Sequence, residues 1–99
     1  MTSTTEKLEN FLARESNFIM KLRFLDGFDN ENANEFLSIL DEIGRQISGE
    51  DFIEKRLAFL LVEIEPILMS ISSQYEGAEL EEVLACIDKV NAKISAILE

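Results

Sequence analysis

Apolar residues recur every three or four positions along four stretches of the chain, which is the spacing of one face of an α-helix. None of the stretches shows the strict alternation of apolar and polar residues that is typical of a half-buried strand. Glycines follow the first three stretches and mark where each helix ends. The predicted helices run from Ser3 to about Asp26, from within residues 29–32 to Gly49, from about Glu50 to Gln74, and from beyond Gly77 through Leu98.

The turns between these predicted helices are only about two to six residues long, so consecutive helices are expected to lie side by side and antiparallel. We therefore predict an all-α fold, an antiparallel up-and-down four-helix bundle that forms one domain of residues 1–99. Pro66 falls inside the third predicted helix, where a proline removes a backbone donor and clashes with the preceding turn. A kink between Val62 and Pro66 is expected from this clash.

Two polar residues interrupt the apolar stripes, Glu15 in the first predicted helix and Asn91 in the fourth. The two would come to a similar height if those helices pack antiparallel. A carboxylate taken out of water needs a partner, because desolvating it alone is costly, and either Asn91 or Arg56 could supply one. We interpret the pair as a polar layer that fixes helix register; the alternative is an acid with a perturbed pKa in a pocket.

A second apolar face lies on the third predicted helix, opposite its core stripe. At about 100° per residue, Phe59, Val62, Pro66 and Met69 fall on this face together with Ala58. A peripheral helix of a bundle should be polar there, so the face is either packed inside the domain or covered by another chain. That chain could be a second copy, in a homodimer through Phe59, Val62, Pro66 and Met69, or a different protein.

Acidic residues outnumber basic ones, 20 to 9, which gives a net charge of −11 and opposes direct binding to nucleic acid or an anionic membrane. Glu31, Glu35 and Glu42 fall within about 40° of one another on the second predicted helix, and we call these three residues the acidic row. The helix dipole favours acids in a first turn but does not reach Asp41 or Glu42. The row is therefore either a solvated face or a docking surface for a basic partner.

Several kinds of chemistry lack the residues that they need. The chain contains no histidine, the commonest general base and metal ligand, and its one cysteine, Cys86, can form neither an internal disulfide nor a zinc site alone. The longest apolar run is far shorter than the ~20 residues that span a bilayer, and the N-terminus lacks the pattern of a signal peptide. We expect a cytoplasmic protein that is not an enzyme and holds no metal or cofactor.

In composition the chain resembles the small acidic helical inhibitors, such as the bacterial immunity proteins that block a cationic toxin. This likeness includes no motif, and it implies a non-enzymatic protein that neutralises a basic protein partner, with a nuclease-type toxin as the first candidate. The alternative is a homo-oligomeric structural or adaptor bundle. The residues predicted to bind the partner are Asp29, Glu31, Glu35, Asp41, Glu42, Phe59 and Met69.

Overall fold

The computed structural model describes residues 4–14, 17–50 and 52–98, most of which are helical. No strand occurs among these residues, so the prediction of an all-α fold is confirmed. None of the helices in this part of the chain is both long and apolar enough to cross a membrane. The helices are α1 (Thr4–Ala13), α2 (Phe18–Arg23), α3 (Asn30–Ile47), α4 (Lys55–Ser72) and α5 (Gly77–Leu98).

The first predicted helix is wrong as a single element, because it is broken into α1 and α2. Asn17 causes the break. Its side-chain oxygen accepts a hydrogen bond from the backbone nitrogen of Met20 at 2.9 Å and so begins α2. Its amide nitrogen lies 3.2 Å from the carbonyl oxygen of Phe11 and 3.2 Å from that of Arg14, and donates to these groups at the end of α1. Ser3, the predicted start of the helix, lies outside the described residues.

The second and third predicted helices correspond to α3 and α4, with different ends. The side chain of Asp29 accepts a hydrogen bond from the backbone nitrogen of Asn32 at 3.0 Å and so caps the first turn of α3. Helix α4 begins at Lys55, five residues after the predicted start at Glu50, and it contains Pro66 without interruption. The chain between α3 and α4 turns at Gly49, whose φ of 84° lies in the region that glycine adopts most readily.

The packing order differs from the predicted one. Helices α1 and α2 both pack on α3 and on α4, and α5 packs on the other side of the same two helices. Within the described ranges, α3 and α4 make no close backbone approach, so these consecutive helices stand diagonally across the core instead of side by side. Asp41 pairs with Lys93, and one turn further along both helices Gly44 lies against Ile97, so α3 and α5 run parallel. The predicted up-and-down arrangement is therefore not confirmed.

Three phenylalanines join α1, α2 and α3 in the core. Phe11, Phe18 and Phe36 are fully buried, with ring centroids 5.3 Å apart for Phe11 and Phe36 and 5.5 Å apart for Phe18 and Phe36. At such distances, aromatic pairs add about 0.5–1.5 kcal/mol each beyond the burial of their area. Near the end of α2, the hydroxyl of Tyr75, which lies between α4 and α5, donates to the carbonyl oxygen of Leu22 at 2.7 Å. These contacts hold the short helix α2 on the rest of the molecule.

Candidate protein-binding surface

Two members of the acidic row are paired with basic side chains of α1 or of the segment that follows it. Glu42 lies 3.0 Å from the amino group of Lys7, and Glu35 lies 2.7 Å from the guanidinium of Arg14. All four side chains are between 38 and 47 % exposed, so each pair contributes about 0–1 kcal/mol. For Glu31, the third member, no ion pair occurs within the described part of the chain.

The two acids beside the row are paired as well. Asp41 accepts a hydrogen bond from Lys93 on α5. Asp29 lies 2.6 Å from the amino group of Lys21 on α2. The hydrogen bond from Lys21, followed in size by that from the backbone of Asn32, holds the pKa of the Asp29 carboxyl below its usual value. Asp29 is therefore fixed in its ionised form by its own chain.

These pairs change the meaning of the negative charge on α3. Four of the five candidate acids contact bases on α1, α2 and α5 or next to α1, so they help to hold these elements around α3. A basic partner that docked here would have to displace those bases. The sequence could not show this, because the bases lie far from the acids along the chain and come close only in the fold.

The second apolar face is exposed on α4. Phe59 is 64 % exposed, Val62 53 % and Met69 46 %, and Pro66 is exposed as well. The alternative that these side chains are packed inside the domain is therefore wrong within the described structure. The four residues follow one another at steps of three, four and three, so they form one line about 15 Å long on the helix surface. We call Phe59, Val62, Pro66 and Met69 the α4 stripe.

Acidic residues border the α4 stripe on both sides. Glu63 and Glu65 are exposed and lie about 80° to either side of the line, given the helical period. They are the only charged residues between Arg56 and Glu76. The α4 stripe thus combines an exposed apolar centre with acidic edges. The acidic row on α3 consists of acids alone and has no such apolar centre.

A cleft between α4 and α5 adjoins the α4 stripe. It is lined in part by Val62 and Glu65 from α4 and by Asn91 and Leu98 from α5. Leu98 is 40 % exposed, so the cleft has an apolar side chain at its edge. The side-chain oxygen of Asn91 is buried and has no hydrogen-bond partner among the described residues.

The predicted polar layer of Glu15 and Asn91 is only partly visible. Glu15 lies outside the described residues. Arg56, its other proposed partner, is half exposed and lies 3.4 Å from Glu9 and 3.3 Å from Glu54. Helices α1 and α5 make no close backbone approach within the described ranges, which removes the antiparallel pairing on which the layer depended.

Sequence reasoning also missed the most exposed aromatic residue. Phe52, just before α4, is 88 % exposed and lines a different cleft together with Gly44 and Ile47 near the end of α3. A single exposed residue outside the helices leaves no periodic signal, so the apolar pattern could not reveal it.

The described residues offer little for covalent chemistry. Cys86 is buried, and desolvation raises the pKa of its thiol to about 11, so the thiol stays protonated at neutral pH. Across residues 4–14, 17–50 and 52–98, no three cysteine, aspartate or glutamate side chains come together as metal ligands would. Comparison of the chain with protein-family models, with curated proteins and with solved structures finds no match.

Proposed function

We propose that the chain is a non-enzymatic acidic binding protein that neutralises a basic protein partner in the cytoplasm, as immunity proteins do with nuclease-type toxins. The observation that carries the proposal is the α4 stripe, exposed on a chain whose net charge is −11. Apolar anchors at the centre of an interface slow dissociation, and complementary charge speeds association and selects the partner. This surface offers both contributions.

The α4 stripe takes a larger part in this proposal than the acidic row. Phe59 and Met69 are 64 % and 46 % exposed, whereas Glu35 and Glu42 already pair with Arg14 and Lys7. In the proposed complex, Glu31 and the acids that border the α4 stripe, Glu63 and Glu65, contribute the long-range electrostatic field that attracts a cationic protein. Asp29 and Asp41 act mainly within the chain itself.

The test is to isolate, from the native host, proteins that bind the immobilised full chain at low salt. The proposal expects a basic protein that is released as the salt concentration rises, and whose nuclease activity falls when the chain is added in equal amount. A basic binder whose activity is unaffected would contradict the neutralising role. Recovery of no basic protein would contradict the proposal as a whole.

A homo-oligomeric structural or adaptor bundle is the second candidate. The observation that favours it is the same exposed stripe, since Phe59, Val62, Pro66 and Met69 could pack on a second copy. Sedimentation separates the two candidates. A dimer that persists at micromolar concentration supports the second, and a strict monomer at tens of micromolar removes it.

The proposal includes two finer points of architecture. Helix directions alternate along the chain, and the axis of α4 bends near Pro66, whose ring lacks the donor that a straight helix uses. Lys7 pairs with Glu42, and Arg14, which comes later in the chain, pairs with the earlier Glu35. This order means that α1 and α3 run in opposite directions, which supports the first point. Residual dipolar couplings test the second: axes of the two halves of α4 that differ by more than about 20° are expected, and one straight axis contradicts it.

A further inference from the structure

We propose that the α4 stripe is the docking site for a basic amphipathic helix of the partner protein. This inference rests on the proposed function and specifies the part of the partner that binds. The steps of three, four and three between Phe59, Val62, Pro66 and Met69 are those of the a and d positions of a heptad. A facing helix with its own apolar residues at a and d packs along such a line.

The ends of the apolar line define the length of the occupant. Continuing the same spacing, the position before Phe59 is Lys55 and the position after Met69 is Ser73, and both are polar and exposed. The apolar part therefore extends over about three helical turns, or about 15 Å. This length fits one short amphipathic helix, a recognition mode in which apolar residues on one face anchor the peptide.

The charges beside the line favour a basic helix over a second copy of this chain. Glu63 and Glu65 occupy the e and g positions that flank the seam, where interhelical ion pairs select the partner. In a homodimer through the stripe, Glu63 and Glu65 at its centre would face acids of the other copy, and the nearest bases, Lys55 and Arg56, lie beyond the end of the apolar line. A helix with Lys or Arg at its flanking positions meets opposite charge on both sides.

The cleft beside the stripe provides a second polar contact. Val62 and Glu65 line it together with Asn91, whose side-chain oxygen is buried and lacks a hydrogen-bond donor within the described part of the chain. A buried acceptor without a partner is unfavourable. In the proposed complex, a lysine or arginine that enters the cleft from the partner helix supplies the missing donor.

The experiment uses three synthetic peptides of equal length and the full chain. The first has Leu at positions a and d and Lys at e and g, the second replaces each Lys by Glu, and the third has the composition of the first in scrambled order. Titration calorimetry is carried out at about 0.05 M and about 0.3 M salt. We expect micromolar binding of the Leu/Lys peptide, binding of the scrambled peptide that is at least about tenfold weaker, and none of the Leu/Glu peptide.

Matched variants locate the binding site. F59S/M69S should weaken binding of the Leu/Lys peptide at least about tenfold, whereas F52S, which removes an exposed phenylalanine elsewhere, should leave it unchanged. E63Q/E65Q should weaken binding and reduce its dependence on salt more than E81Q/E82Q, which removes the same charge from α5. Because these side chains are exposed, circular dichroism should show that the variants fold like the parent.

The outcomes separate this inference from the proposed function. If the Leu/Lys peptide binds but F59S/M69S and E63Q/E65Q behave like their controls, the stripe is not the docking site, and a basic partner is still required. If the folded chain binds neither lysine peptide, both proposals fail. A dimer that F59S/M69S converts to a monomer would assign the stripe to self-association and overturn the inference.

Discussion

Asn17 controls the junction between α1 and α2, and replacing it should destabilise the whole chain. The side chain is 2 % exposed, and its oxygen accepts from the backbone nitrogen of Met20. Its amide nitrogen donates to the carbonyl oxygens of Phe11, Leu12 and Arg14 at 3.2, 3.3 and 3.2 Å. Asn17→Ala removes all of these interactions. Asn17→Asp keeps the acceptor, removes the donors and places a carboxylate against three carbonyl oxygens.

The expected cost follows from these contacts. Loss of a helix N-cap costs about 1 kcal/mol. Loss of the hydrogen bonds that the buried amide donates to the end of α1 costs about 1–3 kcal/mol more, and the carbonyl of Phe11 keeps only the bond from the backbone nitrogen of Arg14. Asn17→Ala should therefore lower the free energy of unfolding by about 2–4 kcal/mol. A chain of this size has about 5–15 kcal/mol in total. At about 4–8 °C per kcal/mol, the Tm should fall by at least about 8 °C.

Asn17→Asp adds a dependence on pH. Burial and the surrounding carbonyl oxygens should raise the pKa of the new carboxyl in the folded state above its unfolded value of about 3.9. The folded state then binds the extra proton more tightly, so stability is greatest below the unfolded pKa and is lost as the pH rises through the folded pKa. At pH about 7, Asn17→Asp should have a lower free energy of unfolding than Asn17→Ala. Near pH about 4 the difference between the two variants should become smaller or change sign.

Urea unfolding followed by the helical circular dichroism signal measures these differences. Asn34→Asp, at an exposed position of α3, is the control and should change stability little at either pH. The reasoning is refuted if Asn17→Ala costs less than about 1 kcal/mol. It is also refuted if Asn17→Asp matches Asn34→Asp at neutral pH.

Three further predictions concern charge, the thiol and the buried amide. Glu42→Lys should destabilise the chain by about 1 kcal/mol more than Glu50→Lys at low salt, because the new lysine faces Lys7, and the difference should shrink at high salt; equal effects at low salt would contradict this. Alkylation of Cys86 at pH about 8 should be at least tenfold slower than in the urea-unfolded chain, since the pKa of its thiol is about 11; equal labelling rates by mass spectrometry would show that the thiol is accessible and ionised. Asn91→Leu should raise the free energy of unfolding by about 1 kcal/mol, because it removes a buried acceptor without a partner. A lower free energy of unfolding, measured with urea, would mean that this oxygen accepts a hydrogen bond in the folded chain.

Apolar periodicity was enough to predict an all-α fold and most positions of α3, α4 and α5. It could not predict the break between α1 and α2, because the break depends on one side chain that bonds both helix ends. Apolar spacing continues through that region regardless. The order of packing was also out of reach, since a connection of a few residues can join neighbouring or diagonal helices.

The candidate surface was predictable only on α4. A helical wheel separates Phe59, Val62 and Met69 from the core stripe, and their exposure agrees with that separation. The wheel of α3 gives a row of acids but contains no information on bases from other helices. Lys7 reaches Glu42 of that row, and Lys93 reaches Asp41 beside it, only after folding. The acids that looked available to a partner therefore form ion pairs within the chain.

Methyl NMR of the valine-labelled chain tests the central claim most directly, because the chain has only three valines. Val62 on the α4 stripe is 53 % exposed, whereas Val83 and Val90 on α5 are 1 % and 0 % exposed. Titration with the Leu/Lys peptide should shift the methyl signals of Val62 and leave those of Val83 and Val90 in place. Methyl signals of Val62 that stay unchanged when the peptide is fully bound would contradict docking on α4.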